Sequence, residues 1–446
     1  MQLSGLSLQQ APPVSVPFRF FLSAPVFGML AAVLLIWWGD EALGSRWTPA
    51  MLAITHALVL GFFTSIMFGA MQQMLPVLAG AVITRPRLVA WLLYLPWMTG
   101  VVTLLLAFLV KKSGLFAASI VLLGMAVLVF AWAVGTALMR ASSQSQSLRG
   151  MKLAVLALLL TLVLGMVLAW GHTGNMILLR PWGTNLHLMW GLVGWVGMLI
   201  VSVAWQVVPM FQITKEYPNY LVQWLAPCIF GLLLIRSFVS LGHFGLPHYQ
   251  WLWQLLSLFA EGLVSLLFIA FALQTLRLQH YRRRKIKDYH IHYWQLACGS
   301  LLLSVACWWG AILVASWQWP VWLLEPLHLL AVTFFVVGFV MAVMTAMLYK
   351  IVAFLIWLHL HNINTQLQMA GKSGTTVPHM KTIISNVYTK IQFQTYLLAL
   401  GVILPAVLWP VQFARLAGVA WFIFFAMMAL NLGRALSLYR RFKMAS

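Results

Sequence analysis

The sequence predicts an all-α, polytopic integral membrane protein of about twelve transmembrane helices in three pseudo-repeated four-helix units. Three observations carry that prediction. Apolar residues make up 63% of the chain and charged residues 7%, with a mean hydropathy of +0.94, more apolar surface than a soluble fold could keep from water. Twelve runs reach the roughly 20 residues that a helix needs to cross the hydrocarbon. Three histidines, His56, His187 and His328, recur at intervals of 131 and 141 residues, each near the start of a long apolar run that follows a short polar loop.

In chain order the expected spans are 18–39, 51–80, 88–110, 114–139, 151–171, 185–209, 220–241, 250–276, 293–316, 326–358, 391–410 and 414–438. The segment 1–17 is polar, contains prolines and lacks a basic n-region, so it is not expected to be a cleavable signal peptide. No polar stretch exceeds the one near 359–390, so no separate soluble domain is expected.

Lysine and arginine are retained on the cytoplasmic side during insertion. Arg85, Arg87, Arg140, Arg149, Lys152, Lys215, the run Arg282-Arg283-Arg284-Lys285, Lys372, Lys381, Lys390, Arg440, Arg441 and Lys443 all fall on one side, against Arg46, Lys111, Lys112, Arg180 and Arg415 on the other. That asymmetry predicts a multi-pass protein of a bacterial inner membrane with both termini cytoplasmic. The net charge of +21 is spread over many loops, which fits topology and anionic lipid rather than a nucleic-acid partner. Cys228, Cys298 and Cys307 lie inside spans at no metal-binding spacing and are read as apolar residues.

Aligned on the histidines, the second span reads His56-Ala-Leu-Val-Leu-Gly61 and ends Gln73-Met-Leu-Pro76. The sixth reads His187-Leu-Met-Trp-Gly191 and ends Gln206-Val-Val-Pro209. The tenth begins His328-Leu-Leu, contains Gly338, and ends Tyr349-Lys350-Ile-Val, a weaker copy. Pseudo-repeats of approximately 18–139, 151–276 and 293–438 follow, with the histidine always on the second helix and at similar depth near the outer surface. A single histidine there would read as a headgroup-zone residue; recurrence in phase with the repeat favours a ligand. Gly191 and Gly194 share a helical face with His187. They would either clear a flat strip for a planar macrocycle or permit close helix packing.

This arrangement of twelve spans with outer histidines on spans two, six and ten resembles the catalytic subunit of the haem-copper oxidase superfamily, which includes nitric oxide reductases. The resemblance implies haem b clamped by His56 and His328, with Arg415, in the expected loop between spans eleven and twelve, and Arg180 meeting its propionates. It also implies copper held by His187 with a histidine pair after span seven, for which His243 and His248 are the candidates. In this family electrons come from a cytochrome c-type protein or another redox partner subunit.

Three departures stand against a complete oxidase. His243 and His248 are not adjacent, Pro326 occupies the place of the catalytic haem's ligand, and Gly191 stands where many members carry tyrosine. Oxidoreductase activity is therefore expected only of a divergent kind, in electron transfer or nitric oxide or oxygen chemistry at the outer side. The alternative is a non-enzymatic copper or haem transporter or assembly factor. Size and topology are also similar to the NnrS family of haem- and copper-containing membrane proteins, although the histidine-rich start of that family's second span is not reproduced around His56.

Ionisable residues at membrane depth are costly and mark candidates. Arg236 and Glu261 fall on neighbouring antiparallel spans, where an ion pair is expected. Gln72, Gln73 and Gln206 are expected to bond across helices, and Pro76 and Pro209 to end or kink theirs. Glu325, three residues before His328, is expected to complement the helix dipole. His359 and His361 are read as an interfacial helix end, since no carboxylate or cysteine stands near them.

Overall fold

The structure is a computed structural model that describes residues 12–141, 145–174, 181–245, 249–283, 288–317, 321–371 and 376–445. Twelve helices among these are long and apolar enough to cross a membrane, and no strand occurs among the described residues. They are α1 (Ser15–Trp38), α2 (Pro49–Pro76), α3 (Pro86–Val110), α4 (Ser113–Arg140), α5 (Gln146–Gly171), α6 (Pro181–Gln212), α7 (Asn219–Gly242), α8 (Gln250–His280), α9 (Tyr289–Ser316), α10 (Leu324–Met369), α11 (Asn386–Leu408) and α12 (Pro410–Met444). The protein is an all-α multi-pass membrane protein in contact with the lipid bilayer.

Local chemistry sets the helix starts. Proline lacks the N–H that a first-turn residue would leave unpaired, so it opens helices readily. Pro49, Pro86 and Pro181 all do so, and Thr48 caps α2 by accepting a hydrogen bond from the Met51 amide at 3.1 Å. Pro76 and Pro209 do not end their helices. Each sits inside the last helical turn: beyond the apolar span the helix of α2 continues to Ala79, and α6 runs on to Gln212.

Sequence neighbours pack on one another, and α1 packs along α12, so the first and last spans meet. Glycine allows that approach: a Cβ at Gly418 would lie 2.9 Å from the Ala32 carbonyl oxygen, and one at Gly28 2.4 Å from the Phe425 ring. The three histidine-bearing spans are among the most enclosed. The most apolar windows of α2, α6 and α10 are 61%, 78% and 61% buried, against 22% for α5 and α8. Even spans begin, and odd spans end, at the face remote from the termini. Trp37, Trp47, Trp170, Trp182, Trp251, Trp317, Trp322 and Trp409 are exposed there, as expected of an interfacial aromatic belt.

These same three spans depart from α-helical winding. Ala57–Thr64 in α2, Met189–Gly197 in α6 and Phe334–Val340 in α10 are π-helical. π-Helix is rare and frequently lies at functional sites. A wider turn misaligns backbone partners, and side chains meet the carbonyls. The Tyr396 hydroxyl donates to the carbonyls of Val337 and Gly338 at 2.6 and 3.1 Å, and Ser65 Oγ donates to the Leu60 carbonyl at 3.3 Å. The π segments of α6 and α10 touch, and Trp195 Nε1 of α6 donates to Thr64 Oγ1 of α2 at 3.3 Å.

Gln72 donates within its own helix, to the Phe68 carbonyl at 3.1 Å, rather than across to another span as the sequence suggested. Cross-helix amide bonding occurs instead between Gln279 and Gln212 at 3.0 Å. Arg236 and Glu261 form the expected ion pair at 3.0 Å, with Ser240 also accepting from the guanidinium. His359 anchors the chain's start: its two ring nitrogens lie 3.0 Å from the Leu355 carbonyl and 3.1 Å from that of Pro12.

Asp288 accepts from the His290 amide at the start of α9 and pairs with Lys350 of α10. Burial pushes its carboxyl up, but the Lys350 ammonium, the hydrogen bond from that group and the His290 side chain and amide outweigh burial and hold it below the usual value. A lowered folded value means that the stabilisation is complete above the unfolded carboxylate value of about 4 and is lost as pH falls through the folded value. Asp288→Asn is therefore expected to be less stable than the parent at pH 7. The gap should close toward pH 3, as read by thermal unfolding in detergent.

Candidate metal centre

His56 lies about two turns into α2 and His187 about two turns into α6, both just before their π segments. Their rings face each other with centroids 6.4 Å apart and planes 17° from parallel. His56 Nδ1 is 2.7 Å from the Leu52 carbonyl oxygen, and His187 Nδ1 is 3.0 Å from that of Thr161 on α5. A carbonyl only accepts, so each Nδ1 carries the proton and each Nε2 keeps a lone pair. That is the arrangement in which the hydrogen-bonded nitrogen fixes the ring and the other nitrogen is free to ligate.

The ring separation sits at the long end of ordinary aromatic contacts. Two imidazoles that share one ion through in-plane lone pairs, with metal–nitrogen bonds of about 2.0–2.1 Å, have centroids about 6 Å apart, so the pair is near enough to share an ion once the rings turn out of their near-parallel stack. Gly165 of α5 makes room for this placement, since a Cβ there would come within 2.8 Å of His187 Cε1. Phe108 of α3 backs His56 at 5.0 Å. Beyond it, His172 at the end of α5 lies 5.9 Å from Phe108 and stacks on Phe116 at 4.8 Å and 10°. Burial lowers the His172 pKa below the usual imidazole value.

His172 was not legible as part of this cluster from the sequence. It has no partner at the repeat interval, and its only signal is its position at the same membrane face as His56 and His187.

The histidine ring beside His56 is that of His187, and His328 lies against Trp308 at 5.5 Å. Arg415 is in the helix α12, not in a loop, because Pro410 already starts that helix; it is exposed beside Gly39, 3.1 Å from where a Cβ would stand. Arg180, His248 and the His243 side chain lie outside the described residues. Glu325 occupies the first turn of α10 without a side-chain cap bond, the place where the helix dipole favours a carboxylate.

The strip beside His187 does not fit haem. A Cβ at Gly191 would meet Thr161 Cγ2 at 3.3 Å, and one at Gly194 the Ala157 Cβ at 3.0 Å. These glycines seat α6 closely on α5, and the space that a macrocycle would need is filled by that helix. A bare ion asks only for the two nitrogens. Among the described residues, no group of three or more histidine, cysteine, aspartate or glutamate side chains is arranged to hold a metal; the facing pair of imidazoles is the candidate site. Comparison with protein-family models and with curated proteins finds no match.

Proposed function

We propose that the protein handles copper at the membrane, holding one ion between His56 and His187, and that it does so as a carrier or assembly factor rather than as an oxidase. The observation that carries this reading is the facing pair of imidazoles with both Nδ1 atoms tied to carbonyls. Neutral imidazole suits copper, and Cu(I) is stable with two opposed nitrogen ligands. A pair of imidazoles to which the described residues add no third metal-ligating group can receive and release an ion, which favours a carrier. The asymmetry of lysine and arginine supports a bacterial inner membrane with cytoplasmic termini, and on that reading the pair lies near the periplasmic surface.

The test is purification in mild detergent, loading with Cu(I) under reducing conditions, metal analysis, and X-ray absorption at the copper edge. One copper per chain with two nitrogen neighbours is the expected result. A reduced haem spectrum lost on His56→Ala would overturn the carrier reading in favour of b-type haem electron transfer, with the redox partner that such a role requires.

Gly165→Ala probes the same geometry without touching a ligand. The added methyl pushes the His187 ring rather than backbone, so the fold is expected to hold. Copper affinity is expected to fall by about 10–100-fold, the range for disturbing a group that orients a ligand, in a competition titration with a Cu(I) chelator.

A further inference from the structure

A second polar feature lies at the opposite end of the molecule. Leu276, Arg277, His280, Tyr281, Arg282 and Gln295 line an open groove of about 700 Å³ between the end of α8 and the first turns of α9. We infer that this groove binds the phosphate headgroup of an anionic phospholipid in the leaflet on the side of the termini.

Depth supports a lipid. At 1.5 Å per residue the 31 residues of α8 extend about 46 Å, beyond the roughly 30 Å hydrocarbon, so its last turn stands among headgroups. Arg277 and Tyr281 are one turn apart, and both are exposed, as is Gln295 on α9. Leu276 provides an apolar wall for the top of an acyl chain.

Charge supports an anion. The chain has 27 basic residues and six acidic ones, and the ion pairs among the described residues are Arg236–Glu261 and Lys350–Asp288. Neither Arg277 nor Arg282 has a carboxylate partner among those residues, and no carboxylate lines the groove.

The basic groups are held in place. Arg282 Nη1 donates to the Gln279 carbonyl at 3.0 Å while its Nε has no partner, and the Arg283 amide donates to the Ile213 carbonyl at 3.2 Å, tying the loop to α6. Exposed Arg277 offers the guanidinium that can meet two phosphate oxygens, and Arg282 adds a positive charge beside it. Basic recesses between spans on this side are suited to anionic headgroups.

The experiment titrates the detergent-purified full chain with phosphatidylglycerol or phosphatidylcholine and counts retained lipid by native mass spectrometry. Phosphatidylglycerol is expected to bind selectively. Its affinity should fall about fivefold for each of Arg277→Gln and Arg282→Gln, the worth of one basic residue near an anionic surface, while Arg277→Lys keeps most of it. Arg440→Gln with Arg441→Gln, elsewhere at the same face, should leave it unchanged. Arg277→Gln alters an exposed side chain and keeps the test decisive should Arg282→Gln fail to fold. Equal binding of the two lipids, no loss in the arginine variants, or equal loss in the Arg440 and Arg441 control would overturn the inference. Complete displacement by inorganic phosphate would do so too, by making this a free-phosphate site.

Discussion

His187→Ala is expected to abolish copper retention, and His56→Ala to do the same, while His328→Ala leaves it intact. A four-ligand structural zinc site contributes roughly 10–16 kcal/mol, about 3 kcal/mol per ligand, and each 1.4 kcal/mol is tenfold. Losing one of two ligands should therefore weaken binding by more than about a hundredfold. The contrast with His328 matters most, because the three histidines are equivalent by sequence interval and only two of them face each other. Equal copper loss in all three variants would mean that a global change had been measured. Metal content after size-exclusion chromatography in a chelator-containing buffer gives the reading.

Glu261→Ala should be the most destabilising single change among the charged residues. Its carboxylate and the Arg236 guanidinium are 3.0 Å apart with side chains only 17% and 18% exposed. Removing one member of such a pair strands the other at membrane depth, at a cost of about 3–5 kcal/mol. The pair itself adds much less, since desolvation offsets the attraction. The double variant Arg236→Met with Glu261→Leu is thus expected to regain most of the lost stability in detergent unfolding. A double variant as unstable as Glu261→Ala would argue that the pair, with the Ser240 contact, contributes more than desolvation takes away.

The spans were legible because hydrocarbon thickness imposes a length and composition that the sequence must display. Their ends moved by a few residues, and α10 proved longest, running to Met369 because the polar residues after Leu358 continue the helix beyond the apolar run. The ion pair of Arg236 was legible for a similar reason: few charges exist at that depth, so the choice of partner was small.

The candidate site was only half legible. Recurrence singled out His56, His187 and His328, but an interval says nothing of the direction in which a side chain points. Direction depends on winding, and the π segments alter winding at the places that matter. Gly191 and Gly194 were seen to share a face with His187. What covers that face, Thr161 and Ala157, belongs to a helix some thirty residues away. His172 was missed because its tie to the pair runs through Phe108 and Phe116, contacts made only after folding.

The π-wound stretches also make each central span a two-part shaft. Every residue of a regular helix advances the next by about 100°, so the azimuth of His56 relative to Gln73, or of His187 relative to Gln206, depends on how many residues the intervening stretch holds. Loss of one residue within Ala57–Thr64 would swing the histidine end of the shaft through roughly a quarter of a revolution while the far end stayed seated. Such a change would turn His56 away from His187, together with the buried Ala50, Ala53 and Ile54 of the same end, and leave the span's ability to cross the bilayer intact. Metal affinity in this architecture can therefore be gained or lost by indels, on a scaffold whose hydropathy profile records no difference.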